Sequence, residues 1–190
     1  MKKIKKNEIK IISGKFKGCK IPIKKNYNIR PTTNRMREML FGWINKNVIN
    51  ANCLDCFSGS GALGIEAISR NALFVTFIEY HKNIIYELQK TFIRLKISNV
   101  KTIRVNTIKW LKKIRTPYDI IFLDPPFNTT LLQKAIIYLE KYKYIKMHSL
   151  IYIEKEKTPN QLIIPHYWKL YKEKITLKVH YQLYICQKNI

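Results

Sequence analysis

The chain has 190 residues, enough for one domain with a sizeable core and room for a small appendage. Its 36 Lys and Arg against 12 Asp and Glu leave a formal net charge of +24, which suits a polyanionic partner. No apolar run approaches a membrane span and the cysteine pattern builds no disulfide framework, so a membrane protein and a disulfide scaffold are both set aside.

The abundance of Lys, Ile and Asn together also fits codon drift, so the charge supports nucleic-acid binding without establishing it. Residues 1–6 resemble the charged start of a signal peptide, but no apolar segment follows, and a reducing cytoplasm is the expected location.

Residues 1–28 are expected to form a basic hairpin extension ahead of a main domain at 29–190. Residues 1–25 hold ten Lys and one acid, Glu8. Ile9–Ile12 and Cys19–Ile23 read as two short strands, joined around Gly14 and Gly18. That hairpin is expected to project along a phosphate backbone, with Lys15 and Lys17 as candidate RNA contacts. Next comes Arg30–Glu38. Pro31 breaks the chain direction, and Thr33 or Asn34 can cap a helix. Met36, Met39, Leu40, Trp43, Ile44 and Val48 then recur at helical spacing, leaving Arg35, Arg37 and Glu38 on or near the other face.

Asn52–Gly64 reads as strand, tight loop and helix start. Gly59 and Gly61 let a ligand approach the backbone, and the following helix offers unpaired N–H groups to an anion. Gly59, Gly61 and Gly64 match the dinucleotide fingerprint, so a nicotinamide or flavin enzyme is one reading. Asp55 argues otherwise, because it ends the strand where it can hold a ligand's amine. Cys53 and Cys56 have redox-pair spacing, but residues three apart on a strand point to opposite faces, and no His stands at metal-ligand distance. Buried structural thiols and no metal are expected.

Strands and helices then alternate. Leu73–Glu79, Val100–Val105, Asp119–Leu123 and Leu150–Ile153 read as strands. Ile84–Leu95, Thr107–Lys113 and Leu132–Leu139 read as helices. The order implies an α/β fold, a parallel sheet covered on both faces. Leu170–Leu177 and Val179–Cys186 end it as an antiparallel hairpin.

In such sheets the ligand sits beyond the carboxyl ends of the strands. The notable polar residues fall there: Asp55, Glu79, Asn106 and Asp124. Glu79 follows Asp55 by one strand-helix-strand unit, a distance that suits binding both ribose hydroxyls. In Asp124–Phe127 the two prolines stiffen the loop and expose carbonyls. The Asp124 carboxylate and Pro125 carbonyl can hold an exocyclic amine, with Pro126 stiffening the turn and Phe127 stacking on a base.

With these residues in view, the chain resembles the class I S-adenosylmethionine-dependent methyltransferases. Residues 54–61 are similar to their cofactor loop and Asp124–Phe127 to their amino-methylating motif. More narrowly it resembles the bacterial 16S ribosomal RNA guanine-N2 methyltransferases of the RsmD type. Arg30–Glu38, the basic hairpin and the terminal tyrosines Tyr181 and Tyr184 carry that likeness. The resemblance implies a Rossmann-like, seven-stranded, mostly parallel sheet, with S-adenosylmethionine as cofactor and the small ribosomal subunit as partner. It assigns Asp55, Phe57, Ser58, Gly59, Ser60 and Gly61 to the methionine end of the cofactor, and Glu79 to the ribose. Asn106 lies near the adenine, where many relatives carry Asp. Thr32 and its neighbours close over the cofactor, while Arg30, Arg35 and Arg37 meet RNA. A monomer is expected. The rival readings are methylation of adenine N6 or a protein amide on the same scaffold, a nicotinamide oxidoreductase, and a non-catalytic RNA-binding assembly factor.

Overall fold

The computed structural model describes residues 7–23, 33–114, 116–127, 130–158 and 162–187. Arg30 and Thr32 lie outside these residues. Two strands, β1 (Asn7–Lys10) and β2 (Lys20–Ile23), pair antiparallel. Helix α1 (Asn34–Ile44) follows, its first turn capped by Thr33, whose hydroxyl accepts from the Met36 N–H at 3.3 Å. Then come β3 (Asn52–Asp55), α2 (Ala62–Ser69), β4 (Phe74–Glu79), α3 (Lys82–Leu95), β5 (Val100–Arg104), α4 (Thr107–Trp110) and β6 (Tyr118–Leu123). The chain closes with α5 (Leu131–Lys141), β7 (Ile145–Glu156), β8 (Trp168–Ile175) and β9 (Val179–Cys186).

Seven strands form one sheet in the order β5-β4-β3-β6-β7-β9-β8. The first five positions are parallel, and β9 runs antiparallel to both β7 and β8. This is the expected parallel sheet with an antiparallel end. The chain winds outward from β3 to β5, then returns to β6, so direction switches between β3 and β6. That crevice is where an open α/β sheet takes its ligand.

Strand alternation divides the core cleanly. Cys53, Ile120, Phe122, Leu150 and Tyr152 pack on one face with α1, α2 and α3; Leu54, Ile121, Leu123, Ile151 and Ile153 pack on the other with α4 and α5. Both faces are apolar because both are covered, which is why these strands read as continuous apolar runs rather than alternating ones. Truncating a fully buried ring such as Phe122 to alanine is expected to cost about 3–5 kcal/mol. Two strands differ from the sequence reading: β7 is longer than Leu150–Ile153, and β8 begins and ends two residues earlier than Leu170–Leu177. β7 starts at Ile145 because its first residues, largely exposed, still pair with Tyr118 across a bulge. β8 is an edge strand whose residues after Trp168 are exposed, and its Lys169, Lys172 and Lys174 suit an edge that must not pair further.

The N-terminal hairpin is fastened to the sheet domain where the sequence suggested a projection. Ile9, Ile11 and Ile21 are buried in the core of the main sheet. Its connecting turn lies on α2: Glu66 accepts from the N–H groups of Ile12 at 2.8 Å and Ser13 at 3.0 Å. The Ser69 hydroxyl accepts from Phe16 N–H at 3.0 Å, and the Ser69 carbonyl accepts from Lys15 N–H at 2.7 Å. Gly14 makes the approach possible. Its φ is +79°, and a Cβ there would lie 1.7 Å from the Ser69 carbonyl oxygen.

Arg37 corrects the sequence reading in the same place. It is fully buried and cannot face RNA. Its Nη2 donates to the Lys10 carbonyl and to Asn34 Oδ1, both at 2.7 Å, and its Nη1 stands 3.5 Å from Glu66 Oε2. Burial lowers its pKa from the ordinary guanidinium value, and the Glu66 carboxylate opposes that. The helical spacing agrees with this burial, because Arg37 lies one turn before the buried Phe41 and so belongs to the inner face.

Candidate active site

The carboxyl ends of the strands line a cavity of about 800 Å³. At its centre β3 ends in Asp55, 3 % exposed, whose Oδ2 accepts from Gly64 N–H at 3.2 Å. Burial pushes this carboxyl up to about 7; hydrogen bonds from the Gly64 and Phe57 backbones oppose the rise, and the Glu79 charge adds to it. Between Asp55 and α2 the loop is closed by its own hydrogen bonds. Ser58 Oγ donates to the carbonyls of Asp55 and Ile78, and Gly61 N–H reaches the Ser58 carbonyl at 2.6 Å. Gly61 begins α2 at φ +75°, and a Cβ there would meet Leu88 Cδ2 at 2.4 Å. Its need for glycine is therefore internal, set by backbone geometry and the packing of α3, before any ligand is considered.

Glu79, at the end of β4, accepts from Gly59 N–H at 3.1 Å, from His81 N–H at 2.8 Å and lies 2.8 Å from His81 Nδ1. Its carboxylate thus ties the loop after β3 to the loop after β4. Asn106 lines the cavity after β5, and its side-chain oxygen caps α4 by accepting from Lys109 N–H at 3.1 Å. Phe57, Ser58, Gly59 and Ser60 also line the cavity. After β6 come Asp124, half-buried, Pro125, buried, and Pro126, exposed; Phe127 packs its half-buried ring against the core. All four line the same cavity.

Five candidate residues do not line the cavity: Gly61 and Arg37 are buried, and three stand on the surface. Arg35 is exposed on α1, and Lys15 and Lys17 are exposed on the hairpin turn; none lines the cavity. Cys53 and Cys56 are buried, one in each face's core, and burial pushes both thiols up, so neither is poised as a nucleophile. Among the described residues no group of three or more His, Cys, Asp or Glu could hold a metal ion. Nor is any of their helices long and apolar enough to cross a membrane.

Sequence reasoning missed Thr33, His81, Thr107, Glu154 and Tyr181 in the cavity wall. A signal for Glu154 was present: it directly follows the apolar run Leu150–Ile153 of β7, as Asp124 follows that of β6, and a buried acid there is costly without a purpose. Thr33 was read only as a helix cap, which it also is.

Residues 9–185 match a protein family described as Conserved hypothetical protein 95. The chain belongs to that family. Over 190 residues it is 56 % identical to the Ribosomal RNA small subunit methyltransferase D of Buchnera aphidicola subsp. Baizongia pistaciae, covering 99 % of this chain and 97 % of that protein. The protein of the same name from Escherichia coli strain K12 is 40 % identical over 93 % of this chain and 89 % of its own length. A solved structure described as a putative methyltransferase from Escherichia coli superposes with a TM-score of 0.90 at 39 % identity, covering 95 % of this chain and 99 % of that one. The chain is a methyltransferase on a Rossmann-like sheet, and the glycine spacing of its loop serves that fold rather than a nicotinamide enzyme.

Proposed function

We propose that the enzyme transfers the methyl group of S-adenosylmethionine to the exocyclic N2 of one guanine in the 16S RNA of the small ribosomal subunit. One observation carries the reading. A single cavity runs across β4, β3, β6, β7 and β9, with Glu79 and Asp55 towards one side and Asp124–Phe127 towards the other. Its volume, about 800 Å³, is at the upper end of small-molecule sites and leaves room for a base beside a nucleoside cofactor. The relatives' names supply the substrate class.

The residues fit the cofactor. Asp55 offers a buried carboxylate to its ammonium, and the Gly59–Gly61 backbone lies close beside it. Glu79 takes the ribose hydroxyls, exchanging its present hold on His81. Asn106 borders the adenine. Thr32 and Arg30, outside the described residues, are assigned to closure and to RNA. Bound S-adenosylmethionine supplies an electrophilic methyl on a sulfonium whose departure needs no metal.

The chain's task is at the amine. The lone pair of guanine N2 is delocalised into the ring and attacks poorly. Hydrogen bonds from its N–H groups to the Asp124 carboxylate and the Pro125 carbonyl localise that pair and aim it, the carboxylate stabilises positive charge developing on nitrogen, and the proton shed after methyl transfer leaves to Asp124 or to solvent. Phe127 stacks on the base and Pro126 stiffens the turn. Lys15, Lys17 and Arg35, all exposed, meet phosphates. The enzyme works as a monomer in the cytoplasm, with residues 1–28 as its basic extension.

Methyl-transfer assays on small subunits, free ribosomal RNA and DNA, followed by mass mapping of the product, test the reading. A methyl on guanine N2 of the small-subunit RNA is expected. A methyl on adenine N6, on DNA or on protein would overturn it.

A further inference from the structure

Glu154 has no part in these roles, yet it is a carboxylate only 4 % exposed in the wall of the cavity. Its place follows from strand register. Leu123 of β6 pairs with Ile153 of β7, so the next residues, Asp124 and Glu154, stand side by side at the carboxyl edge. Glu154 pairs in turn with Tyr181 of β9, another residue of the cavity wall. Side chains alternate along β7, so Glu154 shares a face with Tyr152. The Tyr152 ring is held edge-on to Phe122 with centroids 6.5 Å apart, and its hydroxyl donates to Glu154 Oε1 at 2.8 Å. Burial, and the Glu154 charge beside it, raise the pKa of that hydroxyl, so it stays a donor.

A buried carboxylate is expensive and is kept where a donor meets it. Tyr152 holds one of its oxygens and so fixes how the carboxylate lies in the cavity wall. We propose that Glu154 is a specificity-determining residue that accepts the N1–H of the target guanine, while Asp124 holds the adjacent amine. The inference rests on the guanine reading above. Guanine presents N1–H and N2–H side by side along one edge, and neighbouring strands here present two carboxylates side by side. Adenine instead carries a lone pair at N1 beside its amine, which a carboxylate repels. A flipped base is read through hydrogen bonds to this edge, and a site built to accept a proton discriminates strongly against an analogue lacking it. Tyr152 acts as a positioning residue, fixing the carboxylate's orientation.

The test uses 2-aminopurine, which keeps the reacting amine and lacks the proton at N1. Small-subunit RNA would carry it in place of the nucleotide that mass mapping identifies. The wild-type enzyme is expected to favour guanine over 2-aminopurine by roughly 10- to 100-fold in kcat/KM, the scale of one base-edge contact. In Glu154→Gln, whose amide can donate to the bare N1, that ratio should narrow about tenfold, again the scale of one such contact. The loss of O6 in 2-aminopurine is common to both enzymes and cancels in the comparison. Binding of S-adenosylhomocysteine should be unchanged. Tyr152→Phe should narrow the ratio less, and it carries the test if Glu154→Gln fails to bind S-adenosylhomocysteine. A variant slowed equally on both bases, its ratio that of wild type, would make Glu154 structural and overturn the inference while leaving the guanine assignment intact. A mapped methyl anywhere but guanine N2 removes both.

Discussion

The two ends of α2 show what a buried carboxylate does when it is saturated and when it is not. Glu66, in the second half of the helix, is fully enclosed and accepts from two backbone N–H groups of the hairpin turn. It also faces Arg37 and pairs with Arg70 Nε at 2.9 Å. Asp55, at the other end, is nearly as buried but stands opposite an open cavity, and its carboxyl is driven up to about 7. One site is finished by the chain itself, whereas the other, on the proposed function, is completed by the cofactor's ammonium. The lesson is that burial alone does not distinguish structure from function; the supply of partners does.

The most damaging way to break the comparison is to unfasten the finished end. Glu66→Ala leaves Arg37 enclosed with its charge uncompensated, and removing one partner of a buried pair costs about 3–5 kcal/mol. It also orphans the Ile12 and Ser13 N–H groups. A urea-unfolding midpoint well below wild type is expected, and a midpoint equal to wild type would show the clasp to be incidental. Gly14→Ala should follow the same direction, since no side chain fits against the Ser69 carbonyl.

At the open end the largest effect should be catalytic. Asp124→Ala is expected to lower single-turnover methylation by about 100- to 1,000-fold, the usual result of removing one preorganised contact. S-adenosylhomocysteine should still bind nearly normally, because the proposed cofactor contacts come from the ends of β3 and β4 while Asp124 follows β6. Asp124→Asn keeps an acceptor oxygen and loses the charge. Near-wild-type turnover there would reduce Asp124 to orienting the amine, and the alanine value would make its charge essential. Wild-type rates in both would remove Asp124 from the mechanism.

The open end was far more legible in the sequence than the finished one. Asp55, Glu79, Asn106 and Asp124 each end a strand beside a turn signal, so topology alone brings them to one edge. Glu66 gave no such signal, because apart from Arg70, four residues on, its partners come from residues 12–13 and 37, far away in sequence and joined only by tertiary packing. Arg37 was misread for the same reason: a guanidinium close to the exposed Arg35 and Glu38 looks solvated until its distant acceptor, the Lys10 carbonyl, is known. Glu154 was overlooked because the period-2 rule identifies a strand's inner face without saying that the inner face ends in a cavity.

Asp55 makes the contrast measurable by pH. Between about pH 4 and pH 7 the folded protein keeps a proton on Asp55 that the unfolded chain has released. The folded state therefore binds more protons, so the stability of the ligand-free protein falls as pH rises across that window and levels off above about 7. Asp55→Asn should flatten that slope and be the more stable protein at pH 8. Cofactor binding should run the other way. An ammonium pairs with the carboxylate, so S-adenosylhomocysteine affinity should rise by up to about tenfold per pH unit below 7, and lose that dependence in Asp55→Asn. Equal pH profiles in calorimetry would mean that Asp55 never meets the cofactor's charge.

The smallest effect asks whether the clasp does more than fasten. Its inner side holds Glu66 and Ser69, while its outer side shows Lys15 and Lys17 to solvent. Deleting the hairpin cannot answer this, because Ile9, Ile11 and Ile21 belong to the core and would be lost with it. Lys15→Gln with Lys17→Gln removes two charges and no buried contact, so stability should stay within about 0.5 kcal/mol of wild type. If each lysine neutralises one phosphate, the slope of log affinity against log salt should shallow by roughly 1.4 to 1.8, spanning the single-strand and duplex values. Cofactor affinity should not move, since neither residue lines the cavity. An unchanged slope would leave the turn a purely structural clasp, its lysines solvated, and would shift the RNA-facing role to Arg35 and the lysines elsewhere on the surface.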